Sequence, residues 1–318
     1  MTLRILLTGK NGQVGRELIS SLRPLGEVVA LAHAELDLTK PEEIRKIVRE
    51  VRPQLIVNAA AYTAVDQAES DEAAARAVNA DAPGVMAEEA KKIGAALVHY
   101  STDYVFDGSK STPYLETDPT NPINAYGRTK LAGEEAIRNS GAAHLIFRTA
   151  WVYGREGKNF LGTILRLATQ REELRIVSDQ TGSPTCSADI AQATAEALSR
   201  IYSQQDDNSA FSRVSGTYHL TAGGVTSWYE FTKAILEEAA GHAGDPWLAA
   251  ATSGQPLIAR SVVPIKAAEY PTSAKRPAYS VLSNDRLAHA FRFRLQDWRA
   301  QLQSCFAGKP AAIIQVEK

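Results

Sequence analysis

Two periodicities alternate along the first half of the chain. Short runs of consecutive apolar and β-branched residues, RILLTG (4–9), EVVALA (27–32), QLIVNAA (54–60), ALVHYSTDYVF (96–106) and HLIFRTAWVY (144–153), predict buried strands. Between them GRELISSLRPLG (15–26), PEEIRKIVREVRP (41–53), the long 69–94 segment and NAYGRTKLAGEEAIRNSG (124–141) carry apolar residues at helical spacing. Strands that are apolar on both faces and separated by helices imply a parallel sheet covered on both sides.

Beyond residue 155 the alternation loosens. LRIVSDQ (174–180) predicts one further strand. Segments 187–202 and 227–241 predict helices, capped by Ser187 and Ser227. The polar stretch 203–216 reads as a surface loop, and the residues after Phe306 as a frayed tail. The expected division is a first domain over 1–155, a smaller mixed α/β lobe over 156–306, and a flexible tail over 307–318. Part of the strand and helices after 155 is expected to return to the first domain.

Lys plus Arg number 35 against 36 Asp plus Glu, a balance that argues against a general nucleic-acid or membrane-surface binder. Cys186 and Cys305 lie far apart in sequence, which disfavours a disulfide framework and suggests a reducing compartment. The N-terminus reads as a first strand rather than a signal peptide, and no apolar stretch approaches the ~18 residues of a membrane span. The expected location is the cytoplasm.

The first strand runs into TGKNGQVGRELI, where Gly9, Gly12 and Gly15 are spaced G-x-x-G-x-x-G before a helix. Glycines there let the backbone approach a pyrophosphate, which then rests on the positive end of the helix. The context predicts a Rossmann-type doubly wound sheet and a dinucleotide site. Its expected contacts are Gly9, Asn11, Gly12, Gln13, Val14 and Gly15 in the loop, and His33, Asp37 and Leu38 after the second strand. Ala60, Ala61, Tyr62 and Thr63 after the third strand would close the other side, and Tyr100, Tyr126 and Lys130 are further expected contacts. A carboxylate ending the second strand would favour NADH and an arginine NADPH; His33 stands near that point, so both remain open. Lys10 either assists a phosphate or is a solvated loop residue.

Tyr126 and Lys130 stand four residues apart, on one face of a predicted helix. A free phenol has a pKa of about 10, and a nearby cation lowers it. The spacing therefore suits a proton-transfer pair better than surface decoration. With the glycine loop, VNAAAYTAVDQAE, HYSTDYVFDG, YGRTKLAGE, FRTAWVYG, DQTGSPT and YPTSAKRP in one chain, the sequence resembles the extended short-chain dehydrogenase/reductase family. Within it, the resemblance over residues 4–300 is to the dTDP-4-dehydrorhamnose reductases. It implies Tyr126 as proton donor, Lys130 as its tuning cation, and Thr102 as hydrogen-bond partner of the reacting oxygen. Thr102, Asp103, Trp151, Tyr270 and Arg276 are implied as substrate contacts, and Asn79 as a support of the active site. Trp151 also suits a core position, and Arg148, inside a strand, suits a structural ion pair.

The implied reaction is reduction of the C4 ketone of dTDP-4-dehydro-L-rhamnose to dTDP-L-rhamnose with NADPH or NADH, supplying a cell-surface polysaccharide. Alternatives are another nucleotide-sugar epimerase or reductase, or a non-catalytic regulatory subunit of the methionine adenosyltransferase type. Dehydratases of the same extended family follow the active-site Thr with Asp-Glu; here Asp103 and Tyr104 follow Thr102. The six His show no metal-ligand spacing, so no metal is expected. Some relatives hold Mg²⁺ at a homodimer contact, but nothing in this spacing requires the ion.

Overall fold

A computed structural model describes residues 3–203 and 209–317. Six strands form the central sheet: β1 (Leu3–Thr8), β2 (Gly26–Leu31), β3 (Leu55–Asn58), β4 (Ala96–Thr102), β5 (His144–Thr149) and β6 (Gly216–His219). All are parallel, in the order β2-β1-β3-β4-β5-β6. The direction of winding reverses between β1 and β3, and in open α/β sheets such a switch point opens a crevice at the carboxyl ends of the strands.

Alternate residues of each strand feed opposite faces. Ile5, Leu7, Val57, Val98 and Phe147 pack beneath α1 (Gln13–Leu22), contributing Leu18 and Leu22 to one core. The same core contains Ile190 and Leu198. Leu6, Ile56, Leu97 and Ile146 meet the other face, covered by α2 (Pro41–Val51), α3 (Ala82–Ile93) and α4 (Ala125–Ser140). Ile190 and Leu198 lie on α5 (Ser187–Tyr202), so the second half of the chain returns both β6 and α5 to the sheet. A separate core built from Tyr153, Leu161, Leu165, Phe231, Leu302 and Phe306 supports the remaining lobe, which includes α6 (Trp228–Gly241).

Several expected elements are reshaped. The 96–106 run ends as a strand at Thr102 and turns through a 3-10 helix over Asp103–Val105. The 144–153 run breaks at Trp151, whose φ of 49° no regular strand accommodates, and Val152–Tyr153 pairs instead with Thr185–Cys186. The 69–94 segment is divided by a π-helical turn over Ala77–Asp81. The expected extra strand forms over Glu173–Val177 but pairs with Ser261–Ile265, outside the central sheet.

Ser227 caps α6 by accepting from Glu230 N, whereas Ser187 is the first helical residue of α5 and Cys186 holds the cap position. The stretch 203–216 contains a short helix, Ser209–Arg213; residues 204–208 lie outside the described residues. The segment read as a frayed tail is docked over much of its length. Ile314–Gln315 pairs with Phe293–Arg294, and the buried Ala311 donates its backbone N–H to Asp189. Among the described residues no helix is long and apolar enough to cross a membrane.

Candidate active site

A cavity of about 660 Å³ opens at the β1/β3 switch point, within the size range of small-molecule sites. One wall is the glycine loop. Gly9 has φ of 78°, and a Cβ there would fall 2.6 Å from Ala60 N, so only glycine lets β1 turn against the end of β3. A Cβ on Gly15 would fall 2.0 Å from Gly9 O; this glycine allows helix and loop to pack and does not line the cavity. Gly12 occupies the N-cap of α1 with extended backbone and no side-chain cap, and faces the cavity. The first-turn N–H groups of α1 are thereby available to an anion, and no acidic residue lies in that turn.

Of the expected dinucleotide contacts, Gly9, Asn11, Gly12, Gln13, Val14, His33, Leu38, Ala60, Ala61, Tyr62, Thr63, Tyr100, Tyr126 and Lys130 all line this cavity. Asp37 does not: its carboxylate is turned back onto Thr39 N and Oγ1. Lys10 is tied to Glu35 at 2.5 Å, and the Glu35 carboxylate also accepts from Ala32 N at the end of β2. Gly157 and Lys158 line the cavity as well; they belong to an irregular connection in which sequence periodicity carries no signal.

Asn124 caps α4 and so sets the start of the helix that carries Tyr126 and Lys130. Tyr126 is half-buried at the cavity wall. Burial, with the neighbouring Asp103 carboxylate, pushes its phenol up to about 12, opposed by the Thr102 side chain. Lys130 is buried, its Nζ 2.5 Å from Tyr100 O and 3.1 Å from His99 Nε2. Desolvation pushes this amine down to about 7 against a smaller opposite pull from Glu134. The expected lowering of the phenol by Lys130 is therefore not what this geometry produces: Nζ is committed to β4, and burial dominates both groups. Asn79, in the π-helical turn, bonds Tyr62 N and O and Thr129 Oγ1, bracing the cavity wall from behind. Arg148 makes a two-bond ion pair with Glu134, at 2.9 and 2.7 Å, as a structural residue.

On the other side of Tyr126, side chains from distant segments converge. Thr102 Oγ1 donates to Asp103 Oδ1 at 3.0 Å. Burial raises the Asp103 carboxyl to about 6, partly offset by Ser280 and Thr102. The Tyr104 ring meets Tyr126 edge-on at 5.8 Å, and its phenol, raised by burial, faces Arg276. Arg276 Nη2 donates to Asp66 Oδ2 at 2.7 Å, while Ala274 N donates to Asp66 Oδ1, fastening segment 270–277 to the first half. Trp151 stacks on Trp228 with centroids 3.5 Å apart and planes 5° from parallel; a Cβ on Gly182 would fall 2.5 Å from its indole. Sequence reasoning missed Asp66, which only the folded chain brings to Arg276, and Trp228, the stacking partner of Trp151. Tyr270 remains on the surface, 62% exposed. Cys186 and Cys305, far apart in sequence, are buried neighbours with free thiols.

The family model described as RmlD substrate binding domain matches residues 3–309. The dTDP-4-dehydrorhamnose reductase of Burkholderia thailandensis is 50% identical over 303 residues, covering 95% of this chain and 98% of that one. The Escherichia coli K12 reductase of the same name is 43% identical over 301 residues, covering 93% and 95%. Among solved structures, the Bacillus anthracis dTDP-4-dehydrorhamnose reductase in complex with NADP superposes with a TM-score of 0.83 at 33% identity, covering 97% of this chain and all of that one.

Proposed function

The chain belongs to the RmlD family of dTDP-4-dehydrorhamnose reductases, and from that premise we propose that it reduces the C4 ketone of dTDP-4-dehydro-L-rhamnose to dTDP-L-rhamnose with NADPH or NADH. The observation that carries the reading is a single junction: the cavity behind the glycine loop ends at Tyr126, where the Thr102–Asp103–Arg276 cluster begins. Gly9, Gly12 and the α1 N-terminus fit a diphosphate because Gly9 lets the loop turn against β3, Gly12 faces the cavity without a side chain, and the first turn of α1 has no side-chain cap. Gln13, Ala60–Thr63, Tyr100 and Lys130 would hold the rest of the dinucleotide, which supplies a hydride when bound.

Tyr126 is assigned as the acid. A phenol raised to about 12 keeps its proton at neutral pH, so it is in the state needed to protonate the C4 oxygen as the carbonyl is reduced. Thr102 is assigned to hold that oxygen beside the phenol, and Lys130 to return a proton to Tyr126 afterwards. Asp103, Trp151, Tyr270 and Arg276 are assigned to the sugar nucleotide, with the part of 156–306 outside α5 and β6 as its main support. The Tyr270 ring lies in solvent. The presence of Tyr126, Lys130 and Thr102 together favours an enzyme over a non-catalytic regulatory subunit.

Tyr104 stands where a dehydratase would place its second carboxylate, and its buried phenol is a poor base. The test has two arms. Purified protein given the preformed ketosugar is expected to consume reduced dinucleotide and yield dTDP-L-rhamnose. Given dTDP-glucose and NAD⁺, it is expected to form no 4-keto product. Failure to oxidise either NADPH or NADH in the first arm, or clear dehydration in the second, overturns the assignment.

A further inference from the structure

Behind Lys130 lies a buried polar line that the reaction as described does not use. Thr8, Asn58 and His99 are lateral neighbours in register across β1, β3 and β4, each almost fully buried. Thr8 Oγ1 donates to Asn58 Oδ1 at 2.7 Å, Asn58 Nδ2 lies 3.1 Å from His99 Nδ1, and His99 Nε2 lies 3.1 Å from Lys130 Nζ. Three polar residues inside the hydrophobic middle of a parallel sheet are costly unless each hydrogen bond has the correct sense.

That sense follows from one backbone group. Ala60 N–H donates to Asn58 Oδ1 at 3.2 Å, so the amide cannot flip without setting its Nδ2 donors against this N–H, whereas the Thr8 hydroxyl could serve either orientation. Asn58 Nδ2 therefore donates, and His99 Nδ1 accepts. Burial, together with Lys130, keeps the imidazole neutral. A neutral imidazole that accepts at Nδ1 carries its hydrogen on Nε2, the atom facing Nζ. We propose that Asn58 and His99 form a positioning relay that presents an N–H, not a lone pair, to Lys130, and so sets the proton inventory of the Tyr126–Lys130 pair. Nζ as an amine satisfies the arrangement, accepting from His99 and donating to Tyr100 O. An ammonium there opposes a donor to a donor, so it surrenders its proton more readily to the Tyr126 phenolate left after each turnover.

The charged and titratable surroundings do not supply a competing explanation. From α4 come Tyr126 and Glu134, the latter favouring the ammonium and already held by Arg138 and by Arg148 of β5. From β4 come His99, Tyr100 and, beyond the strand end, Asp103. β1, β3 and the 77–81 turn contribute only the uncharged Thr8, Asn58 and Asn79.

The catalytic consequence rests on the reductase reading; the hydrogen-bond sense does not, and the two are tested separately. In ¹⁵N-labelled full-length protein without dinucleotide, at mildly alkaline pH, long-range ¹H–¹⁵N correlation reads the tautomer of His99, identified by its loss in His99→Gln. The relay predicts hydrogen on Nε2; hydrogen on Nδ1, or an imidazolium, overturns it without touching the reductase assignment. Asn58→Asp keeps acceptors for Ala60 N–H and Thr8 but reverses the partner of His99, turning Nε2 into an acceptor for the ammonium. The alkaline limb of the kcat/KM profile for the ketosugar should then move up by about one pH unit or more. A limb that stays in place although the tautomer has reversed overturns the relay; if Asn58→Asp does not fold, the wild-type tautomer decides alone.

Discussion

The two sides of Tyr126 are built by different means. On the cavity side the surface is largely backbone: Gly9 lets the loop turn, Gly12, Ala60 and Ala61 add little or no side chain, and the first turn of α1 has no side-chain cap. On the other side the surface is made of side chains drawn from distant segments, among them Asp66, Asp103, Arg276 and Ser280. A backbone site suits a part common to many ligands, such as a diphosphate, because amides and helix ends need no particular residue beyond glycine. A side-chain site suits selectivity, because each contact can be exchanged without disturbing the sheet.

The largest break in this comparison should come from the glycines. Gly12→Val is expected to weaken dinucleotide binding by about 100-fold or more while leaving the melting curve near wild type, since its Cβ meets only Gly9 O at 3.2 Å. Gly15→Ala should do the reverse first, costing roughly 1–3 kcal/mol of stability because its Cβ would sit 2.0 Å from Gly9 O. Titration and thermal melts of both variants decide this. A Gly12→Val protein with wild-type affinity would mean the loop serves packing alone.

Arg276→Lys should act only on the far side. Losing the planar fork is expected to raise KM for the ketosugar about tenfold, with dinucleotide affinity unchanged. Trp228→Ala removes the partner of Trp151, an aromatic pair worth about 1 kcal/mol, and should raise the same KM a few-fold. Loss of dinucleotide affinity in either variant would mean the two sides are not separable.

How much of this was legible follows the same division. The glycine loop, β1 to β5 and the Tyr126–Lys130 spacing are local patterns, and local patterns survive in sequence. Residues 216–219 pair with β5 because the folded sheet offers a free edge, and the four residues alone announce nothing. Asp66 and Arg276 are 210 positions apart, and no periodicity links them. The setting of Lys130 was illegible for a related reason: sequence shows a lysine one turn from a tyrosine, but not the His99 and Tyr100 atoms that its Nζ meets.

The smallest expected effect concerns pH. The Asp103 carboxyl rises from 3.8 to about 6 on folding, so burying it favours the protonated form. Its contribution to stability is full below the unfolded value and is lost as pH rises through about 6. Asp103→Asn should therefore flatten the stability profile between about pH 4 and pH 6, read by denaturant melts across that range. An unchanged slope would place the carboxylate in water.

The most direct test of the junction at Tyr126 is the steady-state rate of Tyr126→Phe on the ketosugar, measured beside its dinucleotide affinity. The phenol hydroxyl is the only atom removed, so both sides keep their walls. A fall in kcat of about 10²-fold or more with dinucleotide affinity retained is the predicted result. Turnover close to wild type would contradict the account, because the proton would then come from elsewhere.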